Sequence, residues 1–275
     1  MKMNLEQLSN LAIEAALSAG KIIQNYMNKD VLVEEKEGGT SYASQVVTTV
    51  DRECETAILA HLLPSCTEFD IALLSEESED DNSRFEKDFF WCIDPMDGTL
   101  AFINKEAGFS VSIALVGKDG TPMIGVVFDP SSDTLYHAIK GIGVFKNGRP
   151  WELKKLNPYL SYLTDKKLSG TPQAKKIGII LQEFLSKYSL NEIKEISGAG
   201  SVMTAIRVLE NGPACMIKLP KKENGGGSLW DFAATACIFH ELGLPATNFE
   251  GGKLDLNRKD GAFMNHEGVY YSNFV

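Results

Sequence analysis

The chain has 275 residues, 44% of them hydrophobic, enough to bury a substantial core in one large domain or two modest ones. A formal net charge of −10 argues against non-specific attraction to a nucleic-acid backbone, and "KLPKK" (Lys218–Lys222) is too short to act as a basic tail. No apolar run reaches the roughly 18 residues of a membrane span. The five cysteines (54, 66, 92, 215 and 237), odd in number and irregular in spacing, suit neither a disulfide framework nor a zinc knot, so a soluble, reduced, cytoplasmic protein is the expectation.

Leu5, Leu8, Leu11, Ala12, Ala15, Ala16, Ala19, Ile22, Ile23 and Tyr26 recur at helical spacing and predict a first helix. Glu6, Glu14 and Lys21 interrupt it too often for a signal peptide. "EEKEGGTSYASQ" (Glu34–Gln45) is polar, carries paired glycines and reads as a mobile loop. "VVTTVDRECETAILAHLLP" runs from an extended piece into a second helix, which Pro64 is expected to close. "DIALLSEES" (Asp70–Ser78) is a short strand ending in acids, "DDNSRFEKD" a charged surface loop, and "FFWCID" (Phe89–Asp94) a second apolar run ending in an acid. "GFSVSIALVG", "PMIGVVFDP", "DTLYHAI" and "GVFKNGRPWEL" are β-rich and punctuated by Gly, Pro, Asp and Asn, the pattern of an antiparallel sheet with tight turns. Helical periodicity returns over Thr171–Tyr188 and over Ala199–Gly212, the second ended by Gly212. "ACMIKLP" is a strand, and "GGGSLWDFAATACIFHELG" passes from a glycine loop into a helix that ends at Gly243. No linker, repeat or low-complexity segment divides the chain. A layered α/β unit over residues 1–275, with lobes near 1–150 and 151–275, is expected.

Three short sites share a form. Glu76 and Glu77 follow "IALL", Asp94 and Asp97 follow "FFWCI", and Asp231 opens a helix after glycines. Each puts carboxylate at the end of a regular element, where rigid scaffold holds functional groups. Carboxylates that converge in one cleft repel each other unless hard cations neutralise them, and Mg²⁺ takes oxygen ligands. Such ions polarise phosphate and acidify water. Pro95 stiffens the Asp94–Asp97 turn, Gly98 permits close approach of an anion, and Thr99 offers a hydroxyl at a helix start. Taken singly, each site has a plainer reading: a DPxDG turn, a solvated strand end, a helix N-cap. His61, His137, His240 and His266 share no ligand spacing, Cys92 reads as buried and inert, and "GIGVFKNG" reads as a hairpin. "NGGGS" (Asn224–Ser228) lets the chain turn so that Asp231 points into the cleft.

In order along nearly the whole chain, "VVTTVD", "SEES", "WCIDPMDGT", "YHAIKGIGVFKNG", "GAGS" and "LWDFAA" resemble a superfamily of metal-dependent, lithium-sensitive phosphomonoesterases. It includes the inositol monophosphatases and the 3′(2′),5′-bisphosphate nucleotidases. The resemblance implies a layered αβαβα sandwich. It implies that Glu76, Asp94, Asp97 and Asp231 bind two or three Mg²⁺ ions, with the Met96 carbonyl completing one shell and Glu77 behind the ligands. Thr99 would pair with Asp51 to orient and activate the attacking water, and Glu76 would help take its proton. The Gly98 and Thr99 amides would hold the phosphate, and Gly200 and Ser201 would face the rest of the substrate. The implied reaction is direct in-line attack by metal-bound water, with no phosphoenzyme.

"DGTLAFINKEAGFSVSIALV" is similar to the bacterial bisphosphate-nucleotidase branch, which implies conversion of adenosine 3′,5′-bisphosphate to AMP and phosphate. Two positions depart from the pattern. Gln45 stands where many relatives carry an acid, and Ala205 matches a lysine of nucleotidase relatives, whose role Arg207 or another lysine would have to take. "YLTDKKLSGTPQ" also replaces a Ser-Arg type element. An inositol monophosphatase or another small sugar phosphatase is therefore the alternative. A non-catalytic, metal-stabilised binding protein is more distant, because Thr99, Asp51 and every acidic ligand are present. The implied partners are a small phosphorylated substrate and, as in many relatives, a second copy of the chain, with no nucleic-acid polymer and no membrane.

Overall fold

Alternate residues of the long apolar strands face different cores, and this sets the layers. In β4 (Phe89–Asp97), Phe90 and Cys92 join one hydrophobic cluster while Trp91 and Ile93 join another. In β12 (Ala214–Lys218), Ala214 and Met216 face the first cluster while Cys215 and Ile217 face a third. Strands buried on both faces read as continuous apolar runs, which is why "FFWCI" and "ACMI" show no polar alternation. The computed structural model describes residues 3–30, 33–35, 46–153 and 157–274.

The expected first helix is α1 (Leu5–Tyr26), capped by the Asn4 side chain, which accepts from the Glu6 and Gln7 amides at 3.0 and 3.4 Å. Strands β1 (Val33–Glu35) and β2 (Val46–Thr48) pair antiparallel. The loop expected over Glu34–Gln45 thus begins in β1, and its remainder, including Gln45, lies outside the described residues. Helix α2 (Thr49–Phe69) does not stop at Pro64. Pro64 and Ala60, whose carbonyl loses its helical donor, both lie on the exposed face, so water can satisfy that carbonyl. Beyond the proline, Ser65 donates to the Leu62 carbonyl and receives the Trp91 indole N–H, which ties the last turn to β4.

A seven-stranded sheet runs β3 (Ala72–Ser75), β4, β5 (Ser110–Gly117), β6 (Pro122–Asp129), β7 (Thr134–Ile139), β8 (Gly143–Lys146), β9 (Arg149–Pro150). Only β3 and β4 pair in parallel; the others form the expected antiparallel meander, and Asn147 and Gly148, both with positive φ, make the β8–β9 hairpin turn. The second sheet has the order β11 (Ile193–Ile196), β10 (Leu160–Leu163), β12, β14 (Val269–Ser272), β13 (Ala246–Thr247). Helices α1 and α2 cover one face of the large sheet, and the short helix α3 (Thr99–Ile103) follows β4. Helices α5 (Ser201–Glu210) and α6 (Leu229–Glu241) fill the space between the sheets. Helix α4 (Ala174–Tyr188) buries Ile177 and Leu181 against the outer face of the small sheet. The layers are αβαβα. Helix α5 ends at Glu210, because Asn211 is already extended (φ −114°, ψ 132°); Gly212 is not its left-handed stop. Among the described residues no helix is long and apolar enough to cross a membrane.

Candidate active site

Asp94 and Asp97 are three residues apart on β4, a spacing that puts side chains on opposite faces of a regular strand. The pairing with β5 slips between them: Asp94 stands opposite Ser112 and Asp97 opposite Ser110. Three steps along β4 therefore match two along β5. This is a bulge at Pro95–Met96, a position that tolerates proline's missing N–H. The bulge turns both carboxylates toward the helices between the sheets, the side on which Ser112 donates to the Trp230 carbonyl of α6 at 3.0 Å. Within it the Met96 amide donates to Asp94 Oδ1 at 3.0 Å.

Asp231 arrives from the other side. Gly225, Gly226 and Gly227 take φ values of 119°, 83° and 102°, and the chain then enters α6 at the N-cap Ser228. Asp231 is the third residue of that helix and accepts from the Ser228 amide at 3.0 Å in a capping box. Carboxylate oxygens of Asp94, Asp97 and Asp231 lie within 4.8 Å of one another. Glu76 follows β3, and its amide donates to the Ile93 carbonyl at 3.1 Å, which places it beside β4 and on the wall of the same cleft. Glu77 is partly buried and does not line that cleft.

At this separation two carboxylates repel by about 3 kcal/mol for an effective dielectric constant of about 20. Burial, then the charge of Asp231, holds the Asp97 carboxyl well above its ordinary value. Burial, then the charge of Glu76, pushes Asp231 up to about 7. Three clustered carboxylates, with Glu76 on the same wall and the buried Met96 carbonyl between Asp94 and Asp97, make an all-oxygen, under-compensated donor set. That set fits a hard divalent cation such as Mg²⁺.

Beside it, the Thr99 hydroxyl lies 3.2 Å from Asp51 Oδ1 and 3.2 Å from the Met96 carbonyl. Its single proton favours the charged acceptor. Asp51 is fixed by a second capping box: the Thr48 amide and hydroxyl donate to Asp51 Oδ2 at 2.7 and 2.6 Å. The cleft, with a volume of about 500 Å³, brings Glu76, Asp94, Met96, Asp97, Gly98, Thr99, Gly200, Ser201 and Asp231 together. The Gly200 amide donates to the Gly108 carbonyl and the Ser201 amide to Asp97, so both serve protein acceptors.

Asp165, Lys166, Lys218 and Lys221 line the cleft and escaped the sequence reading. Lys218 Nζ donates to Ser201 Oγ at 2.8 Å and pairs with Asp165 at 3.2 Å. The available signal was strand parity, since Lys218 continues the inward-facing series Ala214, Met216. Ala205 is fully buried, and Arg207, absent from the cleft wall, donates to the Ala107 carbonyl at 3.3 Å. His61 meets Ser18 and His240 the Ala246 carbonyl, while the His137 ring stacks on Phe145 and its buried Nδ1 has no hydrogen-bond partner. The Asp94–Asp97–Asp231 group is the one metal-capable cluster among the described residues. Cys92 is buried, and burial pushes its thiol up.

The sequence pattern of the inositol monophosphatase family matches residues 4–273. The chain belongs to the inositol monophosphatase family. Members of this family are metal-dependent phosphatases. The chain is 30% identical over 268 residues to "Inositol monophosphatase 3" of Solanum lycopersicum, covering 95% of this chain and 93% of the relative. It is 28% identical over 255 residues to "Nus factor SuhB" of Escherichia coli K12, covering 90% and 87%. The crystal structure of CysQ from Bacteroides thetaiotaomicron, a bacterial inositol monophosphatase family member, superposes with a TM-score of 0.74 at 24% identity over 100% of both chains. The αβαβα layering is thus the family fold.

The raised Asp97 and Asp231 carboxyls set a pH dependence for the metal-free protein. The folded state binds more protons than the unfolded state between the ordinary carboxylate value and about 7, so these groups make stability fall as pH rises through that window. A divalent ion favours the charged form and reverses this. Thermal unfolding of chelator-treated protein should show a larger Mg²⁺-induced rise in Tm at pH 7.5 than at pH 5. An equal rise at both values contradicts the shared cation pocket.

Proposed function

We propose that residues 1–275 act as one Mg²⁺-dependent phosphomonoester hydrolase whose preferred substrate carries a second anionic group, with adenosine 3′,5′-bisphosphate as the leading candidate. The observation that carries the substrate reading is the positive charge that lysines bring to the lining of the cleft. Lys166, Lys218 and Lys221 line it. Lys218 pairs with Asp165, whose carboxyl also feels the charge of Lys166, but among the described residues no ion pair joins a carboxylate to the side chain of Lys221. These lysines stand in for the residue that Ala205 lacks. One phosphate faces the acids, and the second anion faces the lysines.

Ions held by Asp94, Asp97, Asp231, Glu76 and the Met96 carbonyl would supply Lewis acidity toward the phosphoryl group and the attacking water. The chain's own residues do the rest. With its proton directed to Asp51, Thr99 Oγ1 accepts a hydrogen bond from a water in the cleft and turns that water's lone pair toward phosphorus. As the water oxygen bonds to phosphorus and the ester P–O bond in line with it breaks, the water's proton passes to Thr99 Oγ1, the Thr99 proton moves to Asp51 Oδ1, and the departing alkoxide takes a proton from solvent in the cleft. The anchoring of Asp51 Oδ2 by Thr48 keeps that acceptor in place. Gly98, with a φ of 85°, lines the cleft next to Thr99, where its amide would face the phosphate. The inositol phosphatase reading keeps support from the tomato relative's name and from Asp165, a hydroxyl acceptor on the same wall.

Thr99→Ala should lower kcat by about 10²-fold or more while KM changes little, as expected for loss of a proton-transfer group; an unchanged kcat contradicts the assignment. For the substrate, kcat/KM should be compared on adenosine 3′,5′-bisphosphate and inositol 1-phosphate with Mg²⁺. The bisphosphate should lead, and the double variant Lys166→Ala/Lys221→Ala should lose that preference while still hydrolysing the monophosphate. Faster turnover of inositol 1-phosphate by the unmodified protein overturns the bisphosphate reading.

A further inference from the structure

Asp97 is held by a helix more than a hundred residues away in sequence. Its Oδ1 accepts the Ser201 amide at 3.0 Å and its Oδ2 accepts the Val202 amide at 2.9 Å, the first two residues of α5. Each oxygen has two lone-pair directions, so one remains on each for another partner.

The fit behind this contact leaves no space for side chains. A Cβ on Gly200 would lie 2.2 Å from Asp97 Oδ2. The Gly200 amide donates to the Gly108 carbonyl at 2.8 Å, and a Cβ on Gly98 would lie 2.7 Å from that same carbonyl oxygen. A Cβ on Gly108 would lie 2.7 Å from the Ala199 Cα. Three backbones, after β4, before β5 and before α5, therefore meet without a side chain between them. From the other side Lys218 grips the Ser201 hydroxyl at 2.8 Å.

We infer that the first turn of α5, seated on the Gly98–Gly108–Gly200 junction, is the positioning element of Asp97 and sets the divalent-ion affinity of the acid cluster. Its two amides fix the carboxylate plane, so that the remaining lone pairs stay directed at the position shared with Asp94 and Asp231. Ser201 and Val202 are positioning residues, not ligands. This rests on Asp97 binding an ion.

The helix offers a clean perturbation. Ser201 is the first helical residue, where proline is favoured, and Gly200 at φ −59° and ψ 168° already has the extended backbone needed before proline. Ser201→Pro deletes the amide donor to Oδ1 together with the hydroxyl held by Lys218. Ser201→Ala deletes the hydroxyl alone. Ion binding is read directly, by calorimetric titration of chelator-treated protein with Mn²⁺, beside its Tm in chelator. Ser201→Pro should weaken the Mn²⁺ Kd by about tenfold or more, the usual scale for residues that orient metal ligands, in a chelated protein that still unfolds cooperatively well above the titration temperature. Ser201→Ala should stay within about twofold of wild type, the size of a change that leaves the ligand's own hydrogen bonds intact. A wild-type Kd for Ser201→Pro overturns the inference. If that variant melts early, Gly200→Ala provides the test, because its methyl displaces the carboxylate while both amides remain: the same weakening supports the inference and an unchanged Kd overturns it. A wild-type protein that binds no Mn²⁺ instead removes the underlying metal reading.

Discussion

Repulsion among Asp94, Asp97 and Asp231 is the constraint around which the rest of the structure is arranged. Three carboxylates within 4.8 Å of one another do not gather by packing alone. Each is restrained by a separate backbone contact: Asp94 by the Met96 amide, Asp97 by the start of α5, Asp231 by the Ser228 amide at the start of α6. Neutral donors of this kind offset part of the repulsion and orient the oxygens, but they do not remove the net negative charge. On the proposed function a divalent cation neutralises that remainder, which ties the function of the cleft to the way the layers are assembled.

The αβαβα stacking places the required element ends at one spot. Parallel β3 and β4 deliver Glu76, Asp94 and Asp97 from the large sheet, and the helices between the sheets supply Asp231 and the amides over Asp97. The two acids delivered by helices, Asp51 and Asp231, both sit at the third helical position and close a capping box with Thr48 and Ser228. A carboxylate there stabilises its own helix and is held rigid in return. Only one oxygen is consumed by the cap: Asp51 turns Oδ1 to Thr99, and Asp231 reaches the acid cluster.

Much of this was legible in the chain. The apolar spacing of α1, the hairpin punctuation of β5 to β9 and the acids at "SEES", "DPMDG" and "LWD" mark the elements and the site's main components. Asp231, expected as the N-cap of its helix, is instead the third residue behind the cap Ser228, in the same Ser/Thr-x-x-Asp arrangement that Thr48 and Asp51 form on α2. What was not legible depends on tertiary pairing. Pro64 continues a helix because the bare Ala60 carbonyl faces solvent. The bulge that puts Asp94 and Asp97 on one face exists only against β5. The seat of Asp97 on α5 joins residues over a hundred positions apart, and no local pattern announces it. Lys218 was hidden for a different reason: its strand parity was readable, but "KLPKK" was weighed only as a charge run.

The most direct measurement is the anomalous scattering of a crystal grown with Mn²⁺, a divalent ion that shares the oxygen preference of Mg²⁺. The account predicts manganese peaks bounded by the carboxylates of Asp94, Asp97 and Asp231, with Glu76 and the Met96 carbonyl as further ligands. A folded, manganese-saturated crystal with no anomalous peak among those carboxylates contradicts it.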